Sequence, residues 1–262
     1  MNLDLSGKNA VVCGSSQGIG KAIAIELAEL GANVILLARN QARLDSVLEL
    51  LDTSENQEHS ILLADFSEPE QVKTVLEDFI QRNHTIHILV NNTGGPSAGL
   101  AIDAETDQFI EAFQQHLICN QYLVQAVVPT MKVVNYGRII NIISSSVKAP
   151  IPNLGVSNTI RGAVASWGKT LANELGQFGI TVNNVLPGLT QTARLQSLIE
   201  TIAKQNEKTP EEQAEIMKQT IPAQRFADAH EIAKAVAFLA SPSASYINGV
   251  NLPVDGGRLP TL

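Results

Sequence analysis

Seven short runs rich in Val, Ile and Leu alternate with longer stretches of helical period, and this alternation most restricts what the chain can fold into. The runs are NAVVCG (9–14), NVILLA (33–38), SILLA (60–64), IHILVN (86–91), RIINII (138–143), ITVNNVL (180–186) and GVNLPV (249–254). Runs this apolar suit strands covered on both faces, and the helices between them supply the crossovers that parallel strands need. An α/β architecture with a buried parallel sheet is therefore predicted. SEPE (67–70), TPEE (209–212) and DAHE (228–231) each place a capping side chain three residues before a Glu, so each predicts a helix start.

No Pro/Gly/Ser-rich linker and no internal repeat interrupts the pattern, so residues 1–262 are read as one domain. The stretch 190–226, TQTARLQSLIETIAKQNEKTPEEQAEIMKQTIPAQRF, is long for a connection. It is read either as one or two helices covering a substrate site or as a mobile lid. Its charges suit a solvated helix face equally well.

The formal charge of −8, from 18 basic and 26 acidic side chains, argues against DNA or RNA as partner, because nucleic-acid affinity rests on cationic neutralisation of phosphates. No apolar run approaches the roughly 18 residues that span a bilayer. The start MNLDLSGKNAVV lacks the apolar core of a signal peptide, so a cytoplasmic protein with no membrane partner is expected. Cys13 and Cys119 make neither a disulfide framework nor a metal cluster; they are read as small buried side chains, with no metal expected.

The first run leads into CGSSQGIGKAIAIELAELGA, with glycines at 14, 18 and 20 where a strand becomes a helix. Gly14 permits the tight turn, Gly18 lets backbone approach a pyrophosphate, and Gly20 lets helix and sheet pack closely. The helix that follows aims free N–H groups at the anion. The spacing of three residues and then one departs from the common dinucleotide fingerprint. The second run ends LLARN, with no acid to grip a ribose 2′-hydroxyl. Arg39 suits a 2′-phosphate, so NADP(H) is expected over NAD(H), the plain alternative for Arg39 being a solvated loop charge.

With ADF at 64–66, NNTG at 91–94, PGLTQT at 187–192 and YINGVNLPVDGG at 246–257 added to GSSQGIG, the chain resembles the short-chain dehydrogenase/reductase family. Within it the β-ketoacyl-acyl carrier protein reductase-like branch is nearest. The motifs run in order from about residue 6 to 258. The resemblance implies a Rossmann-type three-layer fold with a seven-stranded parallel sheet, a homotetramer or homodimer, and a small carbonyl or hydroxyl substrate. It places Asp65 and Phe66 around an adenine, Asn92 beside the adenosine ribose, and Thr190 and Thr192 at the nicotinamide carboxamide. Ser16, Gln17, Ile19, Pro187 and Gly188 join the glycines as cofactor contacts. Cys13 stands where threonine is usual, at the cost of a turn hydrogen bond.

The family's reaction uses a Tyr as proton donor, acidified by a Lys four residues later, with a Ser holding the carbonyl and an Asn anchoring a relay water. Counting from GRIINIIS places the Ser at Ser144; thirteen residues on stands Ser157, and four later Arg161. Counting back from AVVP puts His116 at the relay position. An aliphatic hydroxyl is a far weaker acid than a phenol of pKa about 10. Arginine, protonated up to about pH 12, cannot shuttle protons as lysine does, yet it can hold the nicotinamide ribose and an oxyanion.

His116, with an ordinary pKa near 6.5, and Lys148 in the loop SSSVKAPIPN are candidate replacement acids. A structural imidazole and a solvated lysine are the plain alternatives. The reading is thus an NAD(P)-dependent oxidoreductase, preferring NADP, in which Ser144 and Ser157 orient a carbonyl or hydroxyl and Arg161 supports negative charge. Its rival is a catalytically silent nucleotide-binding protein, a redox sensor or a hetero-oligomer subunit. Lyase or isomerase chemistry is a third reading.

Overall fold

In the computed structural model, which describes residues 1–82 and 85–261, the seven runs form β1 Asn9–Cys13, β2 Asn33–Ala38, β3 Ser60–Leu63, β4 Ile88–Asn91, β5 Gly137–Ile142, β6 Ile180–Pro187 and β7 Asn251–Val254. All pair in parallel, in the order β3-β2-β1-β4-β5-β6-β7. Around them lie α1 Gly18–Glu29, α2 Gln41–Leu48, α3 Pro69–Gln81, α4 Thr106–Phe113, α5 Cys119–Val133, α6 Gly155–Leu175, α7 Ala193–Gln205, α8 Pro210–Gln219 and α9 Ala229–Ala240.

Strand period splits each apolar run between the two faces. Val12, Val34, Leu36, Ile88, Val90 and Ile140 pack under α1, α2 and α9, with Ile23, Leu27 and Val236 above them. Their neighbours Val11, Ile35, Leu37, Leu89 and Ile139 pack on the opposite face with Leu76, Leu123 and Val127, under α3, α5 and α6. Chain order reverses between β1 and β4, which opens a crevice at the carboxyl ends of the strands.

Four asparagines add a polar ladder to this second face. Asn91 Nδ2 donates to Asn141 Oδ1, Asn141 Nδ2 to Asn184 Oδ1, and Asn184 Nδ2 to Asn251 Oδ1, each at 2.8 Å. The register pairs these residues directly across β4, β5, β6 and β7. Buried amides stabilise a fold only when paired, and each orphaned one costs about 1–3 kcal/mol. The ladder therefore favours this register over any slip. Gly168 leaves room for it: a Cβ there would stand 3.0 Å from both Asn141 Nδ2 and Asn184 Oδ1.

The capping boxes predicted from TPEE and DAHE are present, Thr209 with Glu212 and Asp228 with Glu231. SEPE does not form one. Asp65 accepts the Ser67 amide at 3.0 Å, and this turn places Glu68 rather than Ser67 at the N-cap, with Pro69 opening α3. A further box, Glu105 with Gln108, starts α4. β4 begins two residues later than predicted, because the His87 imidazole Nδ1 accepts the Asn9 amide at 3.0 Å in place of a strand carbonyl.

Candidate active site

The turn after β1 has Gly14 at φ +60° and Gly18 at φ +56°, a region where side chains are strained. A Cβ on Gly14 would lie 2.5 Å from the Asn92 carbonyl oxygen, and one on Gly20 would collide with the Gly14 carbonyl. The turn is thus pressed against the end of β4, where Asn92 Nδ2 donates to the Cys13 carbonyl at 3.1 Å. Gln17, at the N-cap of α1, makes no side-chain cap, so the first N–H groups of that helix face the crevice unblocked. This cradle, open where a Cβ would fill it, fits a dinucleotide's phosphates.

Beyond β2, Arg39 Nη1 lies 3.2 Å from Asp65 Oδ2, while Arg43 on α2 donates to Gln17 Oε1 at 2.7 Å. The Asp65 carboxyl is held below the usual range, first by the Ser67 amide and also by Arg39. Ser15, buried beneath the turn, accepts the Leu37 amide at 3.1 Å, and Ser16 is half-buried beside it. Phe66 packs against the second-face core, and its carbonyl faces Cys119 Sγ at 3.4 Å. Both cysteines are free and buried; burial pushes the Cys119 thiol up to about 12 and Cys13 higher still, so neither is a reactive thiolate.

The crevice holds about 320 Å³ and is walled by Gly14, Gln17, Gly18 and Ile19 at one end and by Ser144, Ser157 and Arg161 at the other, with Asn92, Pro187, Gly188, Thr190 and Thr192 between. Ser144 lies two residues beyond β5 and its Oγ accepts the Ser146 amide at 3.1 Å, opening a short 3-10 turn over Ser145–Val147. Lys148 follows that turn and lies outside the wall. Ser157 and Arg161 are one turn apart on α6, both 8% exposed. Arg161 Nη1 donates to the Ile142 carbonyl at 2.9 Å. Burial, then the neighbouring Arg194, lower its pKa to about 10, which leaves it a cation at neutral pH.

His116 does not match the acid expected from its ordinary pKa. It sits in a π-helical turn, Gln114–Ile118, between α4 and α5, and is 2% exposed. Burial first, then Arg161 and Arg194, hold its pKa down to about 2, so the ring is neutral. It reaches the crevice through Thr93, whose Oγ1 is 2.5 Å from His116 Nδ1. Thr93, Gly95 and Arg194 also line the crevice, and Arg43 adjoins it through Gln17; sequence reading passed over all four. NNTG contained Thr93, but nothing local distinguishes its hydroxyl from a turn residue's.

These histidines give the protein a definite acid response. The folded pKa values of His116 (about 2) and His87 (about 4) lie below the ordinary 6.5, so below pH 6.5 the unfolded chain binds more protons. Their stabilisation is complete above 6.5 and is lost as pH falls towards the folded values. Urea unfolding at about pH 5 should give a free energy lower than at about pH 7 by about 2 kcal/mol from His116, with a smaller part from half-exposed His87. Glu26, whose carboxyl burial pushes up, opposes this slightly. His116→Gln should remove most of the difference; an unchanged slope would assign it elsewhere.

The stretch 190–226 folds as two helices, α7 and α8, with Leu195, Ile199, Ile221 and Phe226 packed into a small core of their own. Thr192 caps α7, accepting the Leu195 amide at 3.3 Å. Arg194 ties this segment to the loop after β4, donating to the carbonyls of Gly95 at 2.7 Å and Pro96 at 2.8 Å. Among the described residues, no cluster of His, Cys, Asp and Glu is arranged for a metal ion, and no helix is long and apolar enough to cross a membrane.

A doubly wound parallel sheet with a glycine turn at its switch point is a dinucleotide-binding scaffold. Comparison with known proteins narrows this. The sequence pattern of the family described as enoyl-(acyl carrier protein) reductase matches residues 14–258. The 3-oxoacyl-[acyl-carrier-protein] reductase FabG of Pseudomonas aeruginosa is 36% identical over 257 residues, covering 97% of this chain and 98% of the relative. The NADPH-dependent reductase BacG of Bacillus subtilis is 29% identical over 259 residues, covering 98% and 100%. Among solved structures, L-sorbose reductase from Gluconobacter frateurii, complexed with NADPH and L-sorbose, superposes with a TM-score of 0.94 at 32% identity over the whole of both chains. The chain belongs to the short-chain dehydrogenase/reductase family, in its 3-oxoacyl-acyl carrier protein reductase-like branch, and is an oxidoreductase.

Proposed function

We propose that the protein is an NADP(H)-preferring oxidoreductase acting on a carbonyl/hydroxyl pair through a rearranged site in which Ser157 and Arg161 replace the family's Tyr and Lys. The observation that carries this reading is the continuity of one crevice from the glycine cradle to Ser144, Ser157 and Arg161. When bound, a nicotinamide dinucleotide supplies the hydride. Gly14, Gly18 and the start of α1 would hold its phosphates, with Arg39 and Arg43 at the 2′-phosphate end and Thr190 and Thr192 towards the nicotinamide.

The Ser144 and Ser157 hydroxyls orient the substrate oxygen. Arg161, anchored by Ile142, stabilises the charge that develops there without moving. Neutral His116 fixes the Thr93 hydroxyl at the crevice wall. None of these groups is a strong acid, so slow turnover is expected; loss of the phenol is the observation on which a second reading, a nucleotide binder without turnover, rests. Helices α7 and α8 form the substrate cover, and the subunits assemble as a homotetramer or homodimer, which sedimentation velocity reads directly.

Fluorescence titration tests the reading. NADPH should bind at least about tenfold more tightly than NADH, and Arg39→Ala with Arg43→Ala should erase the difference. Absence of binding by either at millimolar concentration would overturn it, while equal affinities would remove the NADP preference alone.

A further inference from the structure

We infer that the crevice takes an anionic substrate, a short oxo acid with a free carboxylate, which Arg161 and Arg194 grip from either side of Gly95. This rests on the reductase reading for the chemistry of the carbonyl, but the anion site stands on its own geometry.

In a chain of net charge −8, the wall of this crevice carries two charged side chains, both arginines, and no acid. Neither arginine takes part in an ion pair among the described residues. Their hydrogen bonds go to backbone carbonyls, Arg161 to Ile142 and Arg194 to Gly95 and Pro96. Among the described residues, Nε and Nη2 of Arg161 donate no hydrogen bond, although the side chain is buried. Arg161 is buried without a counter-charge, which is costly, and the exposed Arg194 adds a second positive charge facing the same space. That cost is recovered when an anion enters between them.

The two groups converge. A Cβ built on Gly95 would be 3.0 Å from Arg194 Nη2 and 3.4 Å from Arg161 Nη2, so glycine leaves open the one space that both guanidinium groups face. The nucleotide's phosphates already have the turn after β1 and the start of α1, whereas these arginines are anchored beyond β4 and β5, next to Ser157. Ser157 and Arg161, four apart on one helix, lie on the same face at about 5–6 Å between Cβ atoms. A carboxylate held by Arg161 therefore lies close to a substrate oxygen held by Ser157, which suits a short 2-oxo or 3-oxo acid. A thioester has no charge there. Leu154, Leu189 and Leu198 in the same wall suit an apolar remainder.

The test is calorimetric titration of the NADP⁺-loaded protein with phenylacetate and with its neutral isostere phenylacetamide. Phenylacetate should bind at least about tenfold more tightly than the amide. Arg194→Gln should abolish the preference while leaving NADP⁺ affinity within about threefold. Gly95→Ala, which places a methyl between the two guanidinium groups, should abolish it with both arginines present, so the result does not hang on one variant folding. Equal binding of acid and amide, or no binding of phenylacetate at millimolar concentration, overturns the inference. So does an Arg194→Gln loss in NADP⁺ affinity matching the loss in phenylacetate affinity, which would give the arginines to the cofactor's phosphates. Turnover of phenylpyruvate with NADPH is a separate arm: a charge preference without turnover sinks the reductase reading and leaves the anion site standing.

Discussion

Replacing Ser157 by Tyr and Arg161 by Lys together should raise kcat/KM for reduction of a simple neutral ketone by about 10²-fold or more, the contribution of a positioned general acid. Both positions are in the crevice wall and lie one turn apart on α6. The pair thus restores a phenol facing Ser144 with an ammonium one turn below. The gain should appear in kcat rather than KM, because the added group acts on charge that develops in the transition state. Each single change should give much less. Ser157→Tyr alone leaves Arg161, which lowers the phenol's pKa but cannot shuttle a proton. If the double variant binds NADPH as the parent does and reduces no ketone faster, the missing acid is not what limits the parent, and the silent nucleotide binder becomes the better account.

Gly14→Ala should lower NADPH affinity by about 100-fold or more and cost about 1–3 kcal/mol of stability. The methyl would meet the Asn92 carbonyl at 2.5 Å and would also require an L residue at φ +60°. Turn and β4 must then separate, which moves the amides that face the phosphates. Gly7→Ala is the control. Gly7 has φ +70° but no atom within 4 Å of its Cβ position, so it incurs the backbone strain without the collision. Its stability loss should be of similar sign and smaller size, with nucleotide affinity unchanged. Equal affinities for the Gly14 variant and the parent would show that the turn does not form the phosphate cradle.

The parallel sheet was legible because each strand declares itself within five or six residues. Val11 and Val12 need only their own alternation to be sent to opposite faces. The same holds for the boxes at Thr209 and Asp228, where both partners lie within one turn. SEPE failed because Asp65, outside the motif, took the Ser67 amide first. Counting along the chain singles out Ser144, Ser157 and Arg161, and all three line one crevice.

What the sequence by itself determined is local: periodicity, turns that only glycine can make, and the types of side chain present at each motif. Charge state and partnership were decided by tertiary structure. His116 reads as an ordinary imidazole until burial and two arginines, from α6 and α7, make it neutral. Arg194 reads as a solvated helix charge until the loop after β4 brings Gly95 beneath it. The asparagines of four strands read as isolated polar residues until register aligns them into one ladder. In each case the deciding energy is a desolvation or Coulomb interaction between groups distant in sequence, set by separation in space and by exclusion of water.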